Sequence, residues 1–355
     1  MDIFSEIAGT VFAQLQKPTL AFLIGGMVLA ALGSRLAVPD AVYKFVVIVL
    51  LLKVGMGAGM SVREAELAEL AAPAIAAALL GVVIVVVGGL ALARRPGISQ
   101  VDGMATAGLF GAVSASTLAA GMVMLDEEGI AYEGFIGALY PFMDVAALVT
   151  AIVLARLSME RRAAPVVQSG GTAAMSGSGS GLRLAGGPSG VTVRDILVDT
   201  ARSPAISALL LGLAIGIAAR PEAIYESFYE QLFHGLLSIL MLCMGMEAWG
   251  RLSELRKVAG TYVLYGLAAP IVHGLLGLGA GLIVHQITGF SQGGVVLLAV
   301  LAASSSDISG PPTLRGALPE ANPSAYMGTS TGLGTPVAIL AIPLWIALAG
   351  AAMGG

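Results

Sequence analysis

Ten stretches of this chain are apolar over nearly the length needed to cross a bilayer, and that pattern leaves it only one kind of solvent. The runs are 18–37, 41–60, 70–93, 103–125, 134–157, 203–219, 228–250, 260–285, 291–318 and 328–352. A spanning helix needs about 20 mostly apolar residues. Charge is correspondingly scarce: 11% of residues are charged and 57% hydrophobic, with mean hydropathy +0.91. A water-soluble domain carries about 25% charged residues, so too little charge is present here to cover a water-facing surface. Backbone polar groups in lipid must pair within the segment, which makes each run a helix and the fold class all-α. The net charge of −4 and the lack of a basic run argue against nucleic acid. A single cysteine, Cys243, cannot form an intrachain disulfide and fits a small buried apolar group. The N-terminus opens on Asp2, Ser5 and Glu6 rather than a basic segment, which is unlike a cleaved signal peptide.

Basic residues in the short loops orient the spans. With the N-terminus outside, the cytoplasmic loops hold Arg35, Lys44, Arg94, Arg95, Arg156, Arg161, Arg162, Arg251, Arg256, Lys257 and Arg315. The outer side keeps Lys17, Arg63 and Arg220, beside acidic groups such as Asp126, Glu127, Glu128, Glu222 and Glu226. Both termini are then expected outside. The segment 158–200 is rich in Gly, Ser and Ala, and reads as a flexible cytoplasmic linker. It divides the chain into 1–157 and 201–355, with five spans each. Five is odd, so the second half enters the membrane upside down. The expected plan is two inverted five-helix repeats, common among secondary transporters. Matching positions carry matching residues: Pro18 and Pro204 open spans 1 and 6, Ser114–Thr117 and Ser304–Asp307 lie in spans 4 and 9, and Pro141 and Pro336 lie in spans 5 and 10.

Spans 4 and 9 read as broken helices. Span 4 contains Ser114-Ala-Ser-Thr117, and span 9 contains Ser304-Ser-Ser-Asp-Ile-Ser-Gly-Pro-Pro312. Gly, Ser and paired prolines suit a helix interior poorly. Pro311 and Pro312 suit the first turn of a new helix, with Ser309 or Gly310 as its cap. Open backbone inside a membrane needs protein or a water-filled cavity around it. Each break is expected to offer N–H groups to an anion at the start of its second half. Each should also offer carbonyls to a cation at the end of its first half. Asp307 adds a hard oxygen ligand for Na+ or a proton, and an ionisable group at that depth is costly without a function. Asp144, near the middle of span 5, is either an ion-site residue or a structural hydrogen-bond acceptor. Lys53 is read as snorkelling or paired with an acid, and Glu247 as paired with Arg251 at helical spacing. His273 and His285 lack a second ligand at metal spacing. Neither a phosphate-binding loop nor a nucleophile elbow is present, so the chain does not read as an enzyme and an ion gradient is left as the energy source.

Four longer strings now carry a resemblance: Pro18–Met27, Ala107–Ser114, Ala138–Asp144 and Ser304–Pro312. With Pro39–Phe45, they resemble the sodium-dependent bicarbonate transporters of the cyanobacterial carbon-concentrating system. The likeness covers nearly the whole chain except the central loop, which is Gly/Ser-rich and poor in charge. It implies Na+/HCO3− symport for inorganic carbon accumulation, ten transmembrane helices in two inverted repeats, and a crossed-helix site at spans 4 and 9. It also implies a homotrimer in a bacterial plasma membrane and a PII-like regulatory partner on the cytoplasmic face. Site membership carries over to Phe110, Ser114, Ser116 and Thr117, and to Ser304, Ser305, Ser306, Asp307, Ser309 and Gly310. Our own division gives bicarbonate to Phe110, Ser114, Ser116, Thr117, Ser309 and Gly310. It gives Na+ to Ser304, Ser305, Ser306, Asp307 and Asp144, with no organic cofactor. The alternatives are a cation/proton antiporter, a carrier of another small anion, or a bicarbonate sensor that does not transport.

Overall fold

A computed structural model describes residues 18–64, 67–163, 198, 202, 204–255, 260–307 and 309–354. Among them the only regular structure is helical. The helices are α1 (Pro18–Ala31), α2 (Asp40–Glu64), α3 (Leu67–Ala93), α4 (Gln100–Gly111), α5 (Ala115–Glu128) and α6 (Leu139–Ala163). After the central segment come α7 (Pro204–Ala218), α8 (Gln231–Leu255), α9 (Gly260–Thr288), α10 (Gln292–Ala303) and α11 (Gly310–Ala317). The chain ends in α12 (Pro323–Met327), α13 (Thr335–Leu340) and α14 (Ile342–Met353).

Among the described residues six helical segments are long and apolar enough to cross a membrane: Asp40–Arg63, Glu69–Ala93, Gln100–Glu128, Gly134–Met159, Glu222–Gly250 and Gly260–Thr288. A seventh counts if Pro323–Leu340 and Ile342–Met353, bent by 40° at their junction, form one span. Pro343 has no N–H to return to Ile339, and its ring crowds that turn, which accounts for the bend. The other three apolar runs hold shorter helices: Leu20–Ala31, Ile206–Ala218 and Gln292–Ala303.

Some boundaries differ from expectation for local reasons. The first run was expected to stay helical to residue 37, but α1 ends at Ala31. Gly33 takes φ 74° there. Its N–H bonds to Ala30 and the Ser34 N–H bonds to Leu29, the paired bonds of a glycine-terminated helix. At the other end of the first half, α6 continues through residue 163 into the segment read as linker. Most of that segment lies outside the described residues, as does the side chain of Arg251.

Packing divides the helices into two groups. In one, α2 packs on α7 and α1 packs on α8. Here the helices meet backbone to backbone. A Cβ added at Gly55 or Gly59 would strike Leu209 O or Leu213 O, and one added at Gly212 or Gly216 would strike Leu52 O or Met56 O. Two glycines four apart on each helix thus face each other, the small-residue arrangement that lets helices associate in lipid. Gly26 and Gly245 do the same for α1 and α8, against Leu242 O and Leu23 O. In the other group, α3, α4 and α6 pack together, and α9 packs on α10 and α3. The groups meet where the single-turn helix Gly134–Ala138 lies on α2, and where a π-helical stretch, Gly328–Gly334, lies on α8.

Lys53 is paired, as expected. Its ammonium lies 3.1 Å from Glu230 and 4.0 Å above the centre of the Phe233 ring. The lysine side chain is 6% exposed and the glutamate 46% exposed.

Candidate functional site

Both helix breaks are present, and they face each other. Residues 112–114 are extended between α4 and α5, and residues 304–309 separate α10 from α11. Ser114 caps α5 by accepting the Thr117 N–H at 3.2 Å. The Ser306 N–H donates to Leu109 O at 2.8 Å, tying the second break to the last turn of α4. The Ser114 N–H donates to Ser304 Oγ at 3.1 Å, tying the first break to the end of α10.

Each of two acids then spans the gap. Asp307, partly buried in the second break, accepts from Ser116 Oγ at 2.8 Å and from Ser114 Oγ at 3.4 Å. Asp144, fully buried on α6, accepts the Val113 N–H at 3.0 Å and Ser309 Oγ at 3.1 Å. Ser114 Oγ and Ser116 Oγ also share a hydrogen bond of 2.9 Å, as do Ser306 Oγ and Ser309 Oγ. Buried carboxylates need such donors, because an unpaired charge there is far more costly than a neutral polar group.

Most of the expected residues therefore converge. Ser114, Ser116, Ser304 and Asp307 form one hydrogen-bonded set and Asp144, Ser309, Ser306 and Gly310 another, and the Val113–Ser114 backbone joins them. Ser305 turns the other way, to Thr335 Oγ1 at 3.1 Å. Phe110 is also buried, but its ring packs edge-on against Tyr265 and His273 and fills the space beside Gly334. It shapes the site as an apolar wall. Thr117 stands apart in one respect: its hydroxyl is buried and has no partner among the described residues. A buried hydroxyl left in this way is costly unless something else meets it.

The structure sharpens two local expectations. The sequence makes Ser309 or Gly310 the cap of the second half-helix. Ser309 precedes α11, yet its hydroxyl makes no cap bond and goes to Asp144 instead. Ser309 does hold the N-cap position, while the Gly310 N–H is met by Ser306 Oγ at 2.9 Å. Gly310 is needed for space, since a Cβ there would meet Leu109 at 2.5 Å. The breaks were also read as offering free backbone groups. Several of these groups already have protein partners, namely the N–H groups of Val113, Ser114, Thr117 and Gly310 and the carbonyl of Leu109.

Sequence reasoning missed three contributors. Tyr140 places its hydroxyl 3.3 Å from Ser309 Oγ. It lies one helical turn before Asp144, and that spacing was the available signal. Ser330 and Thr335 donate to the carbonyls of Ser306 and Ser305, at 3.3 and 3.4 Å. Ser330 lies in the π-helical stretch, whose Gly-Thr-Ser-Thr-Gly sequence stands out in an apolar run, and Thr335 opens α13 directly after it. Single π-turns of this kind recur at functional sites.

Carboxylate and hydroxyl oxygens packed this closely are hard ligands suited to small cations with no redox chemistry. The same hydroxyls can donate to an anion. A search among curated proteins found no match. Comparison with protein families matches residues 18–350 of the 355-residue chain to one of them. The chain belongs to the Na+-dependent bicarbonate transporter superfamily.

Proposed function

We propose that this chain is a symporter that imports HCO3− with Na+ for inorganic carbon accumulation, and that Asp307 is where the cation and the anion are coupled. One observation carries the reading. Asp307 reaches across from one helix break to two hydroxyls of the other, and Thr117, whose N–H bonds to one of them, keeps a buried hydroxyl with no partner among the described residues. Ser116 spends its proton on Asp307, and Ser114 shares its own between Ser116 and Asp307. Na+ on that carboxylate takes oxygen lone pairs and repels those protons. The two hydroxyls then turn their O–H bonds away, toward an anion beside Thr117. Each ligand thus prepares the site for the other, and the effect is reciprocal by linkage. Asp144 holds the Val113 N–H and Ser309, keeping the two breaks in register.

The transport plan we infer is ten spans in two inverted repeats, with both termini outside. Its support is an exchange in the packing. Span 2 packs on span 6 and span 7 on span 1, while the start of span 5 lies on span 2 and the start of span 10 on span 7. Swapping the halves reproduces the same pairs. The group holding both breaks would move against the group built on the facing glycines. A homotrimer and a PII-like partner rest on the family likeness alone.

The test is uptake of labelled bicarbonate into proteoliposomes. Accumulation under an inward Na+ gradient, abolished by a Na+ ionophore, is the expected result. No accumulation, or proton movement against Na+ without bicarbonate, overturns the proposal in favour of a sensor or an antiporter.

A further inference from the structure

Away from the two breaks, α3, α4 and α6 enclose a crevice of about 300 Å³. Val86, Leu90, Met104, Leu154 and Leu157 wall it, and Gln100 and Ser158 are its polar groups. That is room for roughly ten water-sized groups at about 30 Å³ each, and a methylene is of similar size. The crevice opens sideways, since Leu90 and Leu157 are exposed. Val83 and Val87 on α3 continue the exposed apolar surface beside it. All three helices belong to segments apolar enough to span a membrane, so lipid chains are what such an opening meets.

Its polar end has a distinct charge. Gln100 is the first residue of α4, and Ser158 lies near the end of α6. One helical turn beyond Leu90 comes Arg94, exposed at the end of α3, with Arg95 beside it. One turn beyond Leu157 and Ser158 come Arg161 and Arg162, in the last turn of α6. The spacing of four puts Arg161 and Arg162 on the helix face of Leu157 and Ser158, and Arg94 follows four residues after Leu90, just past the end of α3. Two apolar walls therefore each run out into arginine, where a membrane surface would lie. Arginine pairs with phosphate through a planar fork of donors.

We propose that this crevice is a binding site for an anionic phospholipid. One acyl chain lies between α3 and α6 against Met104, and the headgroup phosphate sits at Arg94 and Arg95. The site is separate from the one assigned to Na+ and bicarbonate, and the inference stands whatever solute the chain carries.

Native mass spectrometry of the detergent-purified protein tests it, with added phosphatidylglycerol or phosphatidylcholine and glycerol 3-phosphate as competitor. Phosphatidylglycerol should remain bound where phosphatidylcholine is stripped. Leu90→Trp, which fills the crevice, should cut its retention at least tenfold. Arg94→Gln should weaken it by about fivefold, the share of one basic group near an anionic surface. Leu157→Trp serves as a second filling variant should Leu90→Trp not fold, with folding checked by thermal unfolding without lipid. Equal retention of both lipids, or retention unchanged by either tryptophan, overturns the proposal. So does displacement by glycerol 3-phosphate alone, which would make this a free-phosphate site. A change of oligomeric mass in the filling variants would instead mean that a second copy of the chain covers the crevice.

Discussion

Replacing Asp307 with Asn tests the coupling site with the least disturbance, because the side chain keeps its shape and loses only its charge. The carboxylate accepts from Ser116 at 2.8 Å and from Ser114 at 3.4 Å. An amide oxygen can accept the same two bonds, so the fold should survive. The loss falls on the cation. Two unit charges 4 Å apart at an effective dielectric of 20 attract by about 4 kcal/mol. Part of that is offset. The hydroxyls are worth about 1.5–3 kcal/mol each on a charged acceptor and about 1 on a neutral one, so they turn toward a ligand more readily in the variant. The net expectation is a loss of about 2–3 kcal/mol, a rise of roughly 30- to 150-fold in the Na+ concentration for half-maximal uptake. The assay is bicarbonate uptake into proteoliposomes at stepped Na+, with thermal unfolding in detergent as the check on folding. An unchanged Na+ dependence in a folded Asp307→Asn protein would refute the reasoning, even if the maximal rate fell. Such a result would leave Asp307 as a structural link between the two breaks.

Two further substitutions separate ligand contacts from structural ones. Thr117→Val removes a buried hydroxyl that has no protein partner; thermal unfolding should be unchanged or slightly higher, while the bicarbonate KM for uptake rises by roughly 5- to 10-fold, the value of one hydrogen bond. The Lys53–Glu230 pair should respond unequally, since the lysine is 6% exposed and the glutamate 46%. Glu230→Gln strands a buried cation and should cost about 2–4 kcal/mol, whereas Lys53→Met leaves a half-solvated acid and should cost less than about 1 kcal/mol; thermal unfolding of the two variants side by side checks the order.

Much of the fold was legible because lipid permits so little. An apolar run of membrane length has to be helical, and each of the ten runs does contain helix. The places where helices stop depended on single residues instead. Gly33 ends α1 before the apolar run is over. Pro336, read from the sequence only as the counterpart of Pro141, follows a π-turn, and Pro343 sits at a 40° bend. Hydropathy averages over a window of residues and cannot register a device one residue long.

At the site, residue type was legible and partnership was not. Serines, glycines and prolines around an aspartate in an apolar run can only mean an opened helix, and both openings are where the sequence put them. Which serine does what is another matter. Hydroxyls can cap a helix, satisfy an acid or meet a ligand, and the local sequence favours Ser309 as the cap. Asp144, 165 residues away along the chain, claims that hydroxyl, and the Gly310 N–H at the cap is met by Ser306 instead. Ser114 and Ser116 are claimed in the same way from Asp307, 193 and 191 residues away. Long-range acids thus decide which hydroxyls are already occupied. Only a ligand that competes for those acids can release them, so a cation is the kind of ligand that can change how many donors the site presents to an anion.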